Sequence, residues 1–328
     1  MVKVHVSIGR CLALIALATT LPASAQPAYP TKPIQIISMF SPGQPPDIQS
    51  RRVAAKLSEF FGQAVVIENR PASGGVMAAQ AVARASPDGY TLSIANAGTL
   101  ILKHLNPAIA YDTVADFAPV IPLTDGPLAL MVRADMPFGR TEDLVAQAKA
   151  RPGKFSYGSG GVGATSHLGS AVFVSLASIE ATHVPYKGMA DLLPGLYRGD
   201  VDFAYLVSSA AVTQAKSGKL RALNVTSRSR LKYFPDVPTL HEITHNELAV
   251  LDNWSGIWAP AKTPIDIQRK LHAAGAKAIA DAEVRKVYEA TGGDAAAPLA
   301  GPEEYAAFVR RENDKWRQIV KLSGAKAD

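Results

Sequence analysis

The sequence predicts an α/β protein of two lobes with a ligand cleft between them. Three observations carry this. Apolar strand-like runs alternate with helix-like segments almost from the start, the alternation restarts near Pro127, and the chain ends on one short strand followed by helices. That last segment is too small for a third domain and is expected to return to the first lobe. The chain then crosses between the lobes twice, and ligands favour such interfaces. A length of 328 residues allows about two domains.

In the first series, Ile34 to Phe40 reads as a buried strand. Asp47 to Phe61 reads as a helix, with Val53, Leu57, Phe60 and Phe61 on one face and Gly62 as its stop. Ala64 to Glu68 is a strand, Val76 to Ala85 a helix, and Tyr90 to Ala95 a strand after the Pro87-Asp88-Gly89 turn. This βαβαβ order is the unit of a mostly parallel sheet covered by helices.

The second series opens with a strand at Leu128 to Val132 and a helix that Thr141 can cap and that ends at Arg151-Pro152-Gly153. Strands follow at Phe155 to Gly158, Thr182 to Tyr186, Val201 to Leu206 and Leu220 to Thr226. The helices between them are Ser166 to Ala177, Met189 to Tyr197 and Ser209 to Ser217. The final segment offers a strand at Trp254 to Trp258 and helices near Pro264 to Ala282 and Pro302 to Leu322. In the last, Tyr305, Phe308, Val309, Trp316, Ile319 and Val320 form a helical stripe, read as core.

Composition narrows the function. Hydrophobic residues are 48% and charged residues 19%, enough apolar material for sizeable cores and against long disorder. A net charge of +6, evenly spread, does not argue for nucleic acid and is compatible with an anionic small ligand. One cysteine excludes a disulfide framework, a Cys-rich zinc site and an iron–sulfur cluster. Residues 1–25 read as a removable export signal: Lys3 and Arg10, an apolar run from Cys11 to Leu21, then Ala23-Ser24-Ala25. Its removal takes both basic residues and the only cysteine, lowering the charge from +6 to +4. The run is too short for a bilayer, and no later segment is long enough.

The best local anion site runs from Tyr157 to His167. A strand leads into Gly158, Gly160, Gly161 and Gly163, then into a helix whose first N–H groups are unpaired. Those donors and the helix dipole favour a carboxylate, and Ser159, Thr165 and Ser166 add hydroxyls. A plain loop with Thr165 or Ser166 as helix cap fits the same residues. Asp47 likewise reads as a cap of the first helix.

Several strings match one family along the chain: Tyr29-Pro30-Thr31-Lys32-Pro33-Ile34, Glu68-Asn69-Arg70-Pro71-Ala72-Ser73-Gly74-Gly75, Ser86-Pro87-Asp88-Gly89-Tyr90-Thr91-Leu92, Asp116-Phe117-Ala118-Pro119-Val120, His183-Val184-Pro185-Tyr186-Lys187-Gly188 and Gly218-Lys219-Leu220-Arg221-Ala222-Leu223. The sequence resembles the periplasmic receptors of tripartite tricarboxylate transporters, the Bug-type solute-binding proteins, collinearly over about residues 29–325. The resemblance implies a type II periplasmic-binding-protein fold of two Rossmann-like lobes closing on a small, usually carboxylated, ligand. It implies no reaction and no cofactor. Lobe 1 is expected at 26–126 plus 252–328, and lobe 2 at 127–251.

The resemblance places the loop around Ser159, Gly163, Ala164, Thr165, Ser166 and His167 at the cleft, facing Gly43, Gln44 and Asp47, with Thr99 at its edge and Tyr205 as a further contact. Two departures stand out. Gln44-Pro45-Pro46 replaces the family's glycines and removes two backbone donors. Leu206 stands where members that grip a carboxylic ligand often carry an acid. Both are read as an altered, more apolar ligand. The expected protein is an exported monomer of the periplasm that hands its ligand to a membrane permease or a sensor, without nucleic acid, metal or membrane insertion.

Two motifs point elsewhere. Gly158-x-Gly160-x-x-Gly163 satisfies the dinucleotide fingerprint, with Glu180 as the acidic partner, but it is not in the first βαβ unit and an exported chain meets little nicotinamide cofactor. His241-Glu242-Ile243-Thr244-His245 satisfies the zinc-hydrolase string. Pro235 and Pro238 precede it, and Leu248 and Leu251 stand where an extended motif needs glycine and a third histidine. An exported zinc hydrolase using His241, Glu242 and His245, or a receptor serving signalling only, is the alternative. No G-x-S-x-G elbow occurs, and His167 beside Ser159 and Ser166 reads as structural rather than nucleophilic.

Overall fold

The structure is a computed structural model that describes Val2 and residues 29–71, 75–291 and 294–325. The expected export signal, Val2 apart, and Ala72-Ser73-Gly74 lie outside the described residues.

Two five-stranded sheets form the frame. The first has the order β2-β1-β3-β10-β4, from Ile34–Ser38 (β1), Val65–Asn69 (β2), Thr91–Asn96 (β3), Phe117–Thr124 (β4) and Ser255–Pro260 (β10). The second has the order β7-β6-β8-β5-β9, from Leu128–Arg133 (β5), Phe155–Ser159 (β6), Ala181–Pro185 (β7), Phe203–Val207 (β8) and Leu220–Val225 (β9). In the first sheet β10 runs antiparallel to β3 and β4 while the other pairs are parallel. In the second β5 runs antiparallel to β8 and β9. The reversed strand in each sheet is the one that has just crossed from the other lobe.

The crossings lie side by side. Pro127 and Asp252 form an antiparallel bridge, and the Asn253 N–H donates to the Gly126 carbonyl at 2.8 Å. The terminal strand therefore completes the first sheet, as the sequence order requires.

Helices cover the sheets because their apolar positions recur on one face. The first lobe carries Pro45–Phe61 (α1), Val76–Ala83 (α2), Ala97–Leu105 (α3), Ile265–Ala280 (α9), Ala282–Thr291 (α10) and Pro302–Ser323 (α11). The second carries Thr141–Ala150 (α4), Thr165–Leu176 (α5), Met189–Arg198 (α6), Ser208–Lys216 (α7) and the short Leu240–Thr244 (α8). Two differences from the sequence reading matter. The segment after the third strand is a helix, α3, that the sequence reading did not mark, and the helix expected near Pro264 to Ala282 is α9, followed after Asp281 by a further unmarked helix, α10.

One core crosses the lobe boundary. Leu168 and Val172 of α5 pack in the same buried cluster as Leu100 and Ile101 of α3 and Trp254, Trp258 and Trp316. The stripe on α11 is core, as expected, with Tyr305, Val309, Trp316, Ile319 and Val320 buried and Phe308 packed against them. Inside the cluster, Trp254 and Trp316 both donate to Glu312 Oε2, at 3.0 and 3.1 Å, and Lys315 pairs with the same carboxylate.

Candidate ligand-binding site

A cavity of about 610 Å³ opens between the lobes. Its walls come from chain segments at one edge of both sheets. Phe40, Gln44, Pro45, Pro46 and Gln49 follow β1, Asn96 ends β3, and Thr124 ends β4. Val207 to Ala210 end β8 and begin α7 on the other lobe, and Gly126, Asn253 and Trp254 belong to the crossings. In α/β sheets the crevice beyond the carboxyl ends of parallel strands is where ligands bind, because strand-to-helix loops present backbone donors there.

The lobe-1 wall is held by Asp47. Gln44 occupies the N-cap of α1, and Pro45 and Pro46 take the first two helical positions, where a missing N–H costs nothing. Asp47 is therefore not the cap. It is buried and accepts from the Gly43 N–H at 2.9 Å, from Arg51 Nε at 3.0 Å and from Asn69 Nδ2 at 2.6 Å. Burial pushes its pKa up, but the bonds from Asn69, Arg51 and Gly43 prevail and hold it below the usual range. Asp47 shapes the loop, and Gln44 is the member of this trio that lines the cavity.

Thr99 is also a shaping residue. It forms a capping box with Asn96: the Thr99 N–H donates to Asn96 Oδ1 at 3.1 Å, and the Asn96 N–H donates to Thr99 Oγ1 at 3.2 Å. Thr99 is buried, and Asn96 reaches the cavity.

The glycine loop is largely self-satisfied. Gly160 N–H donates to Ser166 Oγ at 3.1 Å, Gly161 N–H to Ser159 Oγ at 3.2 Å, and Gly163 N–H to His167 Nδ1 at 3.1 Å. Ser159 Oγ also bonds His183 Nε2 at 2.7 Å. The His167 and His183 rings stack with centroids 3.9 Å apart. Burial, and the neighbouring His183, push His167 down to about 4. Gly163 adopts φ +77 against Leu105 of lobe 1, so the loop is pressed onto the facing lobe. Ala164 is the N-cap of α5, with no side-chain cap. Thr165 Oγ1 lies 3.4 Å from Asn253 Oδ1. Asn253 lines the cavity, so the amino end of α5 stands behind its wall.

Tyr205 lies elsewhere. It is fully buried in the lobe-2 core, and its hydroxyl donates to Asn224 Oδ1 at 2.6 Å. Leu206 is also fully buried, packed among Ala129, Met131 and Leu192. β-strand alternation sends these two side chains to opposite faces of a sheet covered on both sides, so neither reaches the cleft. The leucine therefore carries no information about the ligand, contrary to the sequence reading.

Sequence reasoning missed Ser208, Ser209, Asn253, Glu289 and Asp294, all of which line the cavity. The signal for the serines was present: they lie where a strand of the second series runs into a helix.

The zinc string does not form a zinc site. α8 ends at Thr244, and His245 sits beyond it at φ 51, so the two histidines do not share a helical face. Glu242 is paired with Arg230 at 2.8 Å, and His241 bonds Glu247 at 3.2 Å. No group of three metal-ligating acids, histidines or cysteines occurs among the described residues.

The chain is similar to known proteins along most of its length. The family described as "Tripartite tricarboxylate transporter family receptor" matches residues 49–325. Protein BugT of Bordetella pertussis is 32% identical over 327 residues, covering 97% of this chain and 98% of its own. MatC from Rhodopseudomonas palustris with bound malate superposes with a TM-score of 0.73 at 29% identity, covering 89% of this chain and 100% of its own. An R. palustris protein with adipate gives 0.74 at 29% identity, covering 91% and 99%. Among the described residues, no helix is long and apolar enough to cross a membrane.

Proposed function

Because the chain belongs to the tripartite tricarboxylate transporter receptor family, we propose that it captures a small organic carboxylate in the interlobe cleft and presents it to a membrane permease. The family is one of receptors, and no reaction is assigned to it. The observation that carries this reading is the cavity itself, about 610 Å³ and walled by both lobes at the loop-bearing edge of the sheets. That volume suits a small metabolite.

We take lobe 1 as 26–126 plus 252–328 and lobe 2 as 127–251, with the paired crossings as hinge. Closure of the lobes buries the ligand, and the ligand favours the closed form by its extra contacts there. The carboxylate end is assigned to the amino end of α7, where Ser208 and Ser209 stand and no side chain caps the helix. Exposed backbone donors and the helix dipole stabilise an anion at such a position by roughly 0.3–1 kcal/mol each. The Ser159–His167 loop acts behind the wall, through Thr165 and Asn253. The malate and adipate held by the R. palustris proteins support the ligand class. Residues 1–25 direct the chain to the periplasm, where it works as a monomer.

The test is calorimetric titration of the purified chain against mono-, di- and tricarboxylates. At least one is expected to bind with micromolar or tighter affinity and to raise the unfolding temperature. Folded protein that binds none of them would overturn the reading.

A further inference from the structure

The charged residues in the cleft are one-sided. Among the described residues its lining includes Glu289 and Asp294 but no lysine or arginine. Both acids are exposed at the mouth, Glu289 near the end of α10 and Asp294 just beyond it. The remaining polar lining consists of neutral amides and hydroxyls such as Gln44, Asn96 and Gln214. A ligand with two carboxylates would bring its second one towards two like charges.

The opposite wall differs. Ser208 opens α7, a helix of nine residues with no side-chain cap. Ser208 is only 4% exposed, and its hydroxyl has no hydrogen-bond partner among the described residues. It lines the cavity together with Gly126, and its Oγ stands 3.9 Å from where a Cβ on Gly126 would be. That hydroxyl faces the cavity, where it can donate to a ligand oxygen.

We propose that the cleft selects a monocarboxylate whose far end carries a cationic nitrogen, with the carboxylate at Ser208 and the nitrogen at Glu289 and Asp294. This rests on the receptor reading above and narrows its ligand class. Lys232, across the mouth on lobe 2, is the cation these acids influence. Its ammonium is held above the usual range chiefly by Tyr233, with Asp294 and Glu289 adding to the effect. It does not line the cavity, so the two carboxylates remain the charges that meet a ligand there.

The test titrates the full chain with three matched series of three to six carbons: ω-amino acids, simple monocarboxylates and dicarboxylates. One ω-amino acid is expected to bind at least tenfold more tightly than its monocarboxylate and dicarboxylate counterparts. The double variant E289Q/D294N is expected to lose that preference, whereas S208A weakens ω-amino acids and monocarboxylates alike. A dicarboxylate that binds most tightly would overturn the inference and leave the receptor reading intact. A chain that binds none of the three series would overturn the inference, and one that also binds no tricarboxylate would overturn the receptor reading with it. A variant E289Q/D294N that weakens every ligand alike would show that the acids do not act on the ligand nitrogen, which also overturns the assignment.

Discussion

Asp125 and Asp252 sit on the two adjacent crossings that join the lobes, and burial together with the charge of Glu312 disfavours the ionised form of each. Pro127 bridges Asp252, and Asp125 lies two residues before Pro127. Burial, then the charge of Asp125, pushes Asp252 up to about 7, with Glu312 adding to the rise and Lys315 opposing it. Burial, Glu312 and Asp294 likewise raise Asp125.

This pair predicts a pH dependence. An acid whose pKa is raised by folding binds its proton more tightly in the folded chain. Its contribution to stability is full below the ordinary aspartate range and is lost as pH rises through about 7. Asp252→Asn is expected to stabilise the protein at pH 8 by about 1–3 kcal/mol and to change little at pH 4. Denaturant unfolding at the two pH values checks this, and an equal effect at both would refute it.

His167 works in the opposite direction. Its pKa is lowered by folding from 6.5 to about 4, so its contribution is full above 6.5 and is lost as pH falls towards 4. The two windows overlap and oppose, so the histidine effect is best read in the Asp252→Asn background. There, His167→Gln is expected to reduce the acid-induced loss of stability by about 1–3 kcal/mol. An unchanged slope between pH 7 and 4.5 would show that the stacked imidazoles do not couple to folding.

Gly163 is expected to be intolerant of a side chain. Its φ of +77 disfavours any L residue, and an added Cβ would stand 2.5 Å from Leu105 Cδ1. Gly163→Ala is expected to cost about 1–2 kcal/mol and to weaken ligand binding by loosening the lobe contact. Stability at the wild-type level would mean that the loop relaxes freely.

Glu312 anchors Trp254 at the second crossing to α11. Glu312→Ala leaves two indole N–H groups and Lys315 without their carboxylate and is expected to destabilise the chain by about 3 kcal/mol or more. Thermal unfolding with intrinsic tryptophan fluorescence reads both the loss and the freed indoles.

Much of the architecture was legible in the sequence because it rests on local pattern. Period-two and period-3.6 apolar runs marked most strands and helices, and the short strand at Trp254 to Trp258 pointed to the return of the chain. The helix Ala282–Thr291 was not legible, because it buries only Val284 and Tyr288 and so leaves little apolar stripe. The helix Ala97–Leu105 begins with Asn96 and Thr99, a capping pair that resembles a turn until its partners are seen. The site was harder. Which face of a buried strand meets the cleft depends on how two sheets oppose each other, so Tyr205 looked available although it lies in the core. Glu289 and Asp294 were invisible for a related reason: they approach α7 only after the chain has crossed between the lobes twice.

The central claim, capture between the lobes, is tested most directly by hydrogen–deuterium exchange with and without the tightest-binding carboxylate. Protection is predicted at residues 40–49, at 207–214 and along the crossing at 252–255. Binding that leaves these three segments unprotected, with slowed exchange on another surface, would contradict it.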